Sequence, residues 1–84
     1  MSLTELADYT QELLKTQREK VDTINSTNIG IETLFLEYQL LKDLELIQEQ
    51  IEICEKNPDA KTLLGMTISL CCMRNPKIKE LYHN

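Results

Sequence analysis

Apolar residues recur every three to four positions along most of this chain, and the recurrence is most sustained between Ile31 and Lys56. That stretch contains no Gly or Pro over about seven turns, so the pattern predicts one long central helix over residues 31–56. On a helical wheel its apolar residues form two stripes on different sides of the helix. The first stripe consists of Ile31, Leu34, Phe35, Tyr38 and Leu41, and the second of Leu40, Leu44, Ile47, Ile51 and Cys54.

This change of side along the central helix has three possible explanations. The helix can lie in the middle of a bundle and contact different neighbours at its two ends, which is the simplest. Alternatively, one of the two stripes contacts another chain. A kink near Lys42 would also align the stripes, but no Pro or Gly is present there to produce one.

A second helix is predicted before the central one, from Leu3 to about Ile24. The segment from Ser2 to Glu5 fits a capping box, in which the Ser2 hydroxyl and the Glu5 carboxylate each accept a backbone N–H. The polar run from Asn25 to Gly30 favours a break, and we expect one of Ser26, Thr27 or Asn28 to cap the central helix. The apolar stripe of this first helix consists of Leu6, Tyr9, Leu13, Val21 and Ile24, with Gln17 filling the position between the two halves.

Two Asn-Pro pairs mark the starts of the remaining helices, and Asn57 and Asn75 are the expected N-caps. Asn57-Pro58 predicts the end of the central helix and the start of a third one, which runs to about Arg74. Asn75-Pro76 predicts a short last helix that ends near Tyr82. The third helix carries apolar residues nearly all the way round, as expected of a helix surrounded by protein.

These elements predict an all-α fold in a single domain over residues 1–84. The expected architecture is a small helical bundle of three main helices plus a short C-terminal helix, organised around the long central helix 31–56. A chain of 84 residues buries only about 60–65% of its extended surface, so a core of this size is marginal. Oligomerisation is a common way to stabilise such a chain.

Charge argues against two classes of partner. The chain has 14 acidic and nine basic residues, a net charge of -5 and a pI of about 4.8. A protein that binds nucleic acid needs a basic surface to neutralise phosphates, and an anionic membrane also attracts basic segments. We therefore expect neither nucleic acid nor membrane as a partner.

The three cysteines, Cys54, Cys71 and Cys72, all lie within apolar helical patterns. Their odd number and the adjacency of two of them do not suit a disulfide framework, so we expect buried, reduced thiols. The N-terminal residues lack the basic and apolar regions of a signal peptide, and the longest apolar stretch, Leu63 to Met73, is too short to span a bilayer. Together these features predict a cytoplasmic protein.

The sequence offers little for catalysis. Its only histidine, His83, is the penultimate residue, and its two glycines, Gly30 and Gly65, do not form a phosphate-binding loop. Carboxylate pairs such as Glu45 with Glu49 are expected to be solvated residues of a helix surface. We therefore predict no enzyme, no cofactor, and no catalytic, cofactor-binding or metal-ligating residue.

One local resemblance bears on assembly. Lys56-Asn57-Pro58, followed by Leu63-Leu64, resembles the turn of type III secretion needle subunits, which are helical hairpins of similar length. The resemblance implies a structural subunit of a larger assembly such as a secretion apparatus. The apolar third helix and the second Asn-Pro start depart from a simple hairpin.

The leading prediction is a small non-enzymatic protein–protein interaction module: an adaptor, chaperone-like binder or inhibitor that acts through helix packing. A homodimer is the simplest assembly, because the short helices cannot cover all of the apolar surface of the longer ones. A structural subunit is the alternative, and a helix-turn-helix transcriptional regulator is a weaker one, given the acidic charge. The predicted partner-binding residues are Leu40, Leu44, Ile47, Ile51, Met66 and Met73.

Overall fold

A computed structural model describes residues 2–27 and 30–82. It contains four α-helices: α1 (Leu3–Asn25), α2 (Ile31–Lys56), α3 (Lys61–Arg74) and α4 (Pro76–Tyr82). A single 3-10 turn, Pro58–Ala60, joins α2 to α3. Because the described residues form no strand, the all-α prediction is confirmed, with the long central helix at its predicted bounds.

The helix boundaries follow from local capping. Glu5 N–H donates to the Ser2 hydroxyl at 3.1 Å, so Ser2 caps α1 as predicted. The other half of the predicted capping box differs, because the Glu5 carboxylate accepts from the Ser2 hydroxyl at 3.2 Å and not from the Ser2 backbone N–H. The two Asn-Pro pairs behave alike: Asn57 Oδ1 accepts from the N–H of Asp59 at 3.2 Å, and Asn75 Oδ1 accepts from the N–H of Lys77 at 3.1 Å. Both caps are as predicted, although Pro58 opens a 3-10 turn rather than α3 itself.

The cap predicted for α2 is wrong. Gly30 occupies that position, without any side-chain hydrogen bond. Ser26 and Thr27 instead close the end of α1, where their hydroxyls donate to the carbonyls of Thr23 and Ile24. The third candidate, Asn28, lies outside the described residues.

Helices α1 and α2 form an antiparallel hairpin. Gln17 is buried between them and donates to both the carbonyl and the side chain of Glu37, at 2.8 Å each. The buried face of α1 lies partly one residue beyond the predicted one, since Leu6, Tyr9 and Leu13 are only partly buried. Its buried residues repeat at intervals of three and four: Ala7, Thr10, Leu14, Gln17, Val21 and Ile24.

Helices α3 and α4 pack on the side of α2 that α1 leaves open. The end of α3 reaches Asp43 through Arg74, and α4 then turns back so that Tyr82 meets Thr10 of α1. The first turns of α2 therefore extend beyond α3, and the molecule measures 45 × 22 × 21 Å. Among the described helices, none has the length and apolar character needed to cross a membrane.

Candidate interaction surface

Four of the six predicted partner-binding residues lie in the core of the chain. Ile47 and Ile51 are 0% exposed, and Leu40 and Leu44 are also buried. The second stripe of α2 faces α1 and α3, so these side chains stabilise the single chain and do not form a surface. The predicted contact at these four positions is therefore corrected to core packing.

The other two predicted residues, Met66 and Met73, are exposed by 56% and 82%. They lie on one side of α3 together with two exposed leucines. We call this set the α3 stripe: Leu63, Met66, Leu70 and Met73. The spacing of three and four residues places all four side chains in one line along the helix.

The α3 stripe corrects the expectation that protein surrounds α3. Only Leu64 and Cys71 of this helix are buried. The reason is geometric, because α3 contacts α2 on one side and the short α4 on another, and no described element covers the third side. An uninterrupted line of four large apolar side chains is thus left in contact with solvent.

A groove of about 540 Å³ lies beside this stripe, between α3 and α4. We call it the α3–α4 groove; it is lined by Ile68, Ser69, Cys72, Met73, Pro76, Lys79 and Tyr82. Met73 belongs both to the stripe and to the groove wall, so the two features form one surface. The volume is within the range of pockets that hold small ligands or large side chains.

The first turns of α2 carry further exposed apolar side chains. Ile31 is 81% exposed, and Phe35 and Leu36 are also exposed. Phe35 and Leu36 line a second groove with Pro76, which also lines the α3–α4 groove. The first apolar stripe of α2, read from the sequence as a possible contact with another chain, therefore lies mostly on the surface.

Charge is unevenly distributed around these surfaces. Residues 2–55 contain twelve acidic and four basic side chains, whereas residues 56–82 contain five basic and two acidic ones. Lys79 lies in the wall of the α3–α4 groove, and it forms no ion pair with the described residues. The apolar surface of α3 and α4 thus belongs to a basic part of an acidic chain.

A polar cluster holds this surface in place. Asp43 of α2 is 1% exposed, accepts from Arg74 at the end of α3, and accepts from Asn75 Nδ2 at 3.3 Å. The hydrogen bond from Arg74 to Asp43 raises the pKa of the Arg74 guanidinium above its usual value. Burial raises the pKa of the neighbouring Cys71 thiol, and the Asp43 charge adds to this rise. The only sequence signal for the cluster was a charged residue among core positions of α2.

The side chains that could ligate a metal are dispersed among the described residues. No three of their His, Cys, Asp and Glu side chains are grouped as metal ligands, and the free cysteines are Cys54, Cys71 and Cys72. Cys54 and Cys71 are buried as predicted, whereas Cys72 is only partly buried. His83 lies outside the described residues.

Comparisons of the chain with protein-family models, with curated proteins and with solved structures found no match in any of the three.

Proposed function

We propose that this chain is a non-enzymatic protein–protein interaction module, of the adaptor, chaperone-like binder or inhibitor type, that works in the cytoplasm. The observation that carries the proposal is the α3 stripe, four large apolar side chains exposed in one line. Monomeric proteins rarely expose large contiguous apolar patches, and such patches often mark interfaces. The flexible thioethers of Met66 and Met73 suit a surface that adapts to its partner.

The chemistry of the surface favours one class of partner. A helix laid along α3 would bury the α3 stripe and insert one large side chain into the α3–α4 groove, which is the geometry of helix-in-groove recognition. Lys79 in the groove wall favours acidic residues beside that side chain. We therefore propose that the partner is a protein that presents an amphipathic helix with an acidic polar face.

A photo-crosslinking residue tests this proposal when it replaces Leu70, at the centre of the α3 stripe. The same residue at Lys15, an exposed position of α1, is the matched control. A protein captured at position 70 and not at position 15 is then purified, and its affinity is measured directly. We expect Leu70→Glu to weaken binding by at least about tenfold, and Lys15→Glu to change it by less than about twofold.

Two results would overturn the proposal. One is equal capture at positions 70 and 15, and the other is a purified partner whose affinity is unchanged by Leu70→Glu. Added salt separates the electrostatic part, because an acidic partner should bind more weakly as ionic strength rises. Helicity of each variant, measured by circular dichroism, confirms that the fold is retained.

A structural subunit of a larger assembly is the second candidate function. The elongated shape, 45 Å long, and the unequal distribution of charge favour it. An open-ended assembly grows with concentration, whereas an interaction module forms a discrete complex. We do not propose a transcriptional regulator, because the exposed side of α3 carries Leu and Met in place of polar side chains that read bases.

We also propose that the chain pairs with itself. Exposed apolar side chains occur on α2 as well as on α3, so a single partner on α3 leaves part of the apolar surface uncovered. Sedimentation velocity over a concentration series tests this, with a discrete dimer as the expected species. A compact monomer at about 100 μM would contradict it and leave the α3 proposal standing.

A further inference from the structure

The outward side of α2 carries a line of exposed side chains that the core does not use. We call it the α2 seam; its members are Phe35, Tyr38, Lys42, Leu46, Glu49 and Ile53. They are separated by three or four residues, which keeps all six side chains in one line along the helix. Four of the six are apolar and two carry opposite charges.

The seam and the core occupy opposite sides of the same helix. Ile47 is 0% exposed and points into the core, whereas its neighbour Leu46 is 37% exposed and belongs to the seam. At 1.5 Å per residue, the seam from Phe35 to Ile53 is about 27 Å long. A second helix can therefore lie along it without opening the fold.

The order of charges along the seam defines its complement. Lys42 and Glu49 lie on either side of Leu46, and so do Tyr38 and Ile53, and both pairs are centred on the same point between Glu45 and Leu46. We infer that the α2 seam pairs with the α2 seam of a second copy, antiparallel, about a two-fold axis beside Leu46. Each Lys42 then faces the Glu49 of the other copy, and each Tyr38 faces an Ile53.

Other arrangements of two copies lack this match. A parallel pair in register would place Lys42 against Lys42 and Glu49 against Glu49, and like charges at facing positions are destabilising. An antiparallel pair shifted by four residues, so that Lys42 faces Ile53, would also place Glu49 against Leu46, and both charges would then face apolar side chains. Of these arrangements, the register centred beside Leu46 pairs both charges of the seam and places Tyr38 against Ile53.

The two-fold axis passes between residues 45 and 46, so this arrangement brings both Leu46 and Glu45 close to their own copies. Of these two residues only Glu45 is charged. Its carboxylate is already paired with Lys42 at 3.3 Å and with Arg18 at 3.6 Å. The two cations compensate its charge within each chain, so the approach of two Glu45 side chains at the axis is not prohibitive.

This inference rests on the proposed self-association and specifies the face that performs it. Because one helix per chain forms the contact, its area lies at the low end for protein interfaces, and a dissociation constant on the order of micromolar is expected. The α3 stripe and the α3–α4 groove lie on other helices, so they stay available to a different protein.

Sedimentation velocity on the full chain, over about 5 to about 200 μM, provides the first test. We expect wild type to form a dimer and Leu46→Glu to remain monomeric, with unchanged helicity because Leu46 is not a core residue. The matched control is Leu70→Glu, the same substitution on the α3 stripe, which should still form the dimer.

A charge exchange tests the register. In Lys42→Glu or Glu49→Lys, two symmetric attractive pairs become repulsive, so each variant should dimerise roughly tenfold more weakly. The double variant Lys42→Glu/Glu49→Lys restores attraction in the antiparallel register, and its affinity should return toward that of wild type. In a parallel dimer each of these residues would face its own copy. Either single variant would then replace one pair of like charges by another, and the affinity of the dimer should change little.

Zero-length carbodiimide crosslinking gives a direct readout. Within one helix, residues 42 and 49 are about 10 Å apart along the axis, too far for such a bond. A Lys42–Glu49 crosslink therefore joins two chains, and a mixture of unlabelled and 15N-labelled protein identifies it by mass.

Three results would overturn the inference. A monomer at about 100 μM would contradict self-association as well as this contact. A dimer that persists in Leu46→Glu and is lost in Leu70→Glu would show that the chain does pair with itself, but through α3 and not through the α2 seam. A photo-crosslinker at Leu46 that captures a different protein, and no second copy, would assign the seam to that protein.

Discussion

Asp43 on α2 and Arg74 at the end of α3 form an ion pair in which one partner is buried and the other is not. The Asp43 side chain is 1% exposed, whereas that of Arg74 is 53% exposed. Asn75 adds a second donor to the same carboxylate. The junction between α3 and α4, on which the candidate interaction surface depends, is therefore anchored to the centre of α2 by one buried acid.

This asymmetry predicts unequal effects of removing the two partners. Arg74→Leu leaves a buried carboxylate with one donor and should lower the free energy of unfolding by about 3 kcal/mol. Asp43→Leu should cost less, because Arg74 can turn to solvent, and the double variant should cost no more than Asp43→Leu alone. Urea unfolding measures all three variants.

Arg18→Leu, at the exposed pair with Glu45, is the control and should cost less than about 1 kcal/mol. A larger loss for Asp43→Leu than for Arg74→Leu would contradict this account.

The two Asn-Pro caps offer a matched comparison. Asn57→Ala removes one hydrogen bond to the N–H of Asp59 and should cost about 1 kcal/mol. Asn75→Ala removes the equivalent bond to Lys77 and also a donor to the buried carboxylate of Asp43, so it should cost about 1 kcal/mol more. Thermal melting followed by circular dichroism ranks the two variants. Equal melting temperatures would show that the Asn75–Asp43 hydrogen bond contributes no stability.

The bounds of the helices could be predicted from sequence because their signals are local. Gly30 precedes α2 and Asn57-Pro58 follows it, so residues directly next to the central helix determine both of its ends. The start signals at Ser2 and Asn75 are equally local, and both residues cap the helices that they predict. The cap of α2 was missed because Ser26 and Thr27 bind carbonyls of the preceding helix, and nothing in the sequence separates that choice from capping the next one.

The division between core and surface could not be predicted from periodicity. Both stripes of α2 are apolar, and which one is buried depends on where α1 and α3 lie. The same limit applies to Asp43, whose burial depends on a guanidinium 31 residues away in sequence. For α3, a pattern that is apolar on nearly all sides indicated a surrounded helix, whereas the described neighbours cover less of it than the pattern requires.

Tyr82 should give the protein a distinct alkaline transition. Its hydroxyl is hydrogen-bonded to Thr10 Oγ1 at 2.7 Å, and burial is the main reason that its pKa rises from 10.0 to about 12. The folded state then holds this proton between the two values and the unfolded state does not, so stability is lost as pH rises from about 10 to about 12. Tyr82→Phe should flatten that loss, although it also removes the hydrogen bond. Absorbance of tyrosinate should show one ionisation near 12 in wild type that is missing in the variant. A wild-type protein without an ionisation near 12 would refute the prediction.

The cysteines should differ in reactivity toward a thiol reagent. Cys54 and Cys71 are buried, and the pKa of Cys71 is raised by that burial, so little reactive thiolate forms there. Cys72 is partly exposed in the α3–α4 groove and should react first. Labelling of native protein should thus show one faster and two slow thiols, and Cys72→Ser should lack the faster phase. If all three reacted at the rate of the denatured chain, the burial of Cys54 and Cys71 would be disproved.

Adjacent residues of α2 provide the sharpest test of which side of the helix is core. Ile47 is 0% exposed and Leu46 is 37% exposed, so truncation should have very different effects at the two positions. Ile47→Ala removes buried methyl groups and leaves a cavity, which should cost about 3 kcal/mol, and Ile47→Glu should prevent folding. Leu46→Ala should cost less than about 1 kcal/mol when urea unfolding is measured well below the dissociation constant of the dimer, where self-association contributes little. A folded, monomeric Ile47→Glu would instead return the second stripe of α2 to the surface, as the sequence pattern first indicated, and would overturn the assignment of Leu40, Leu44 and Ile51 to the core.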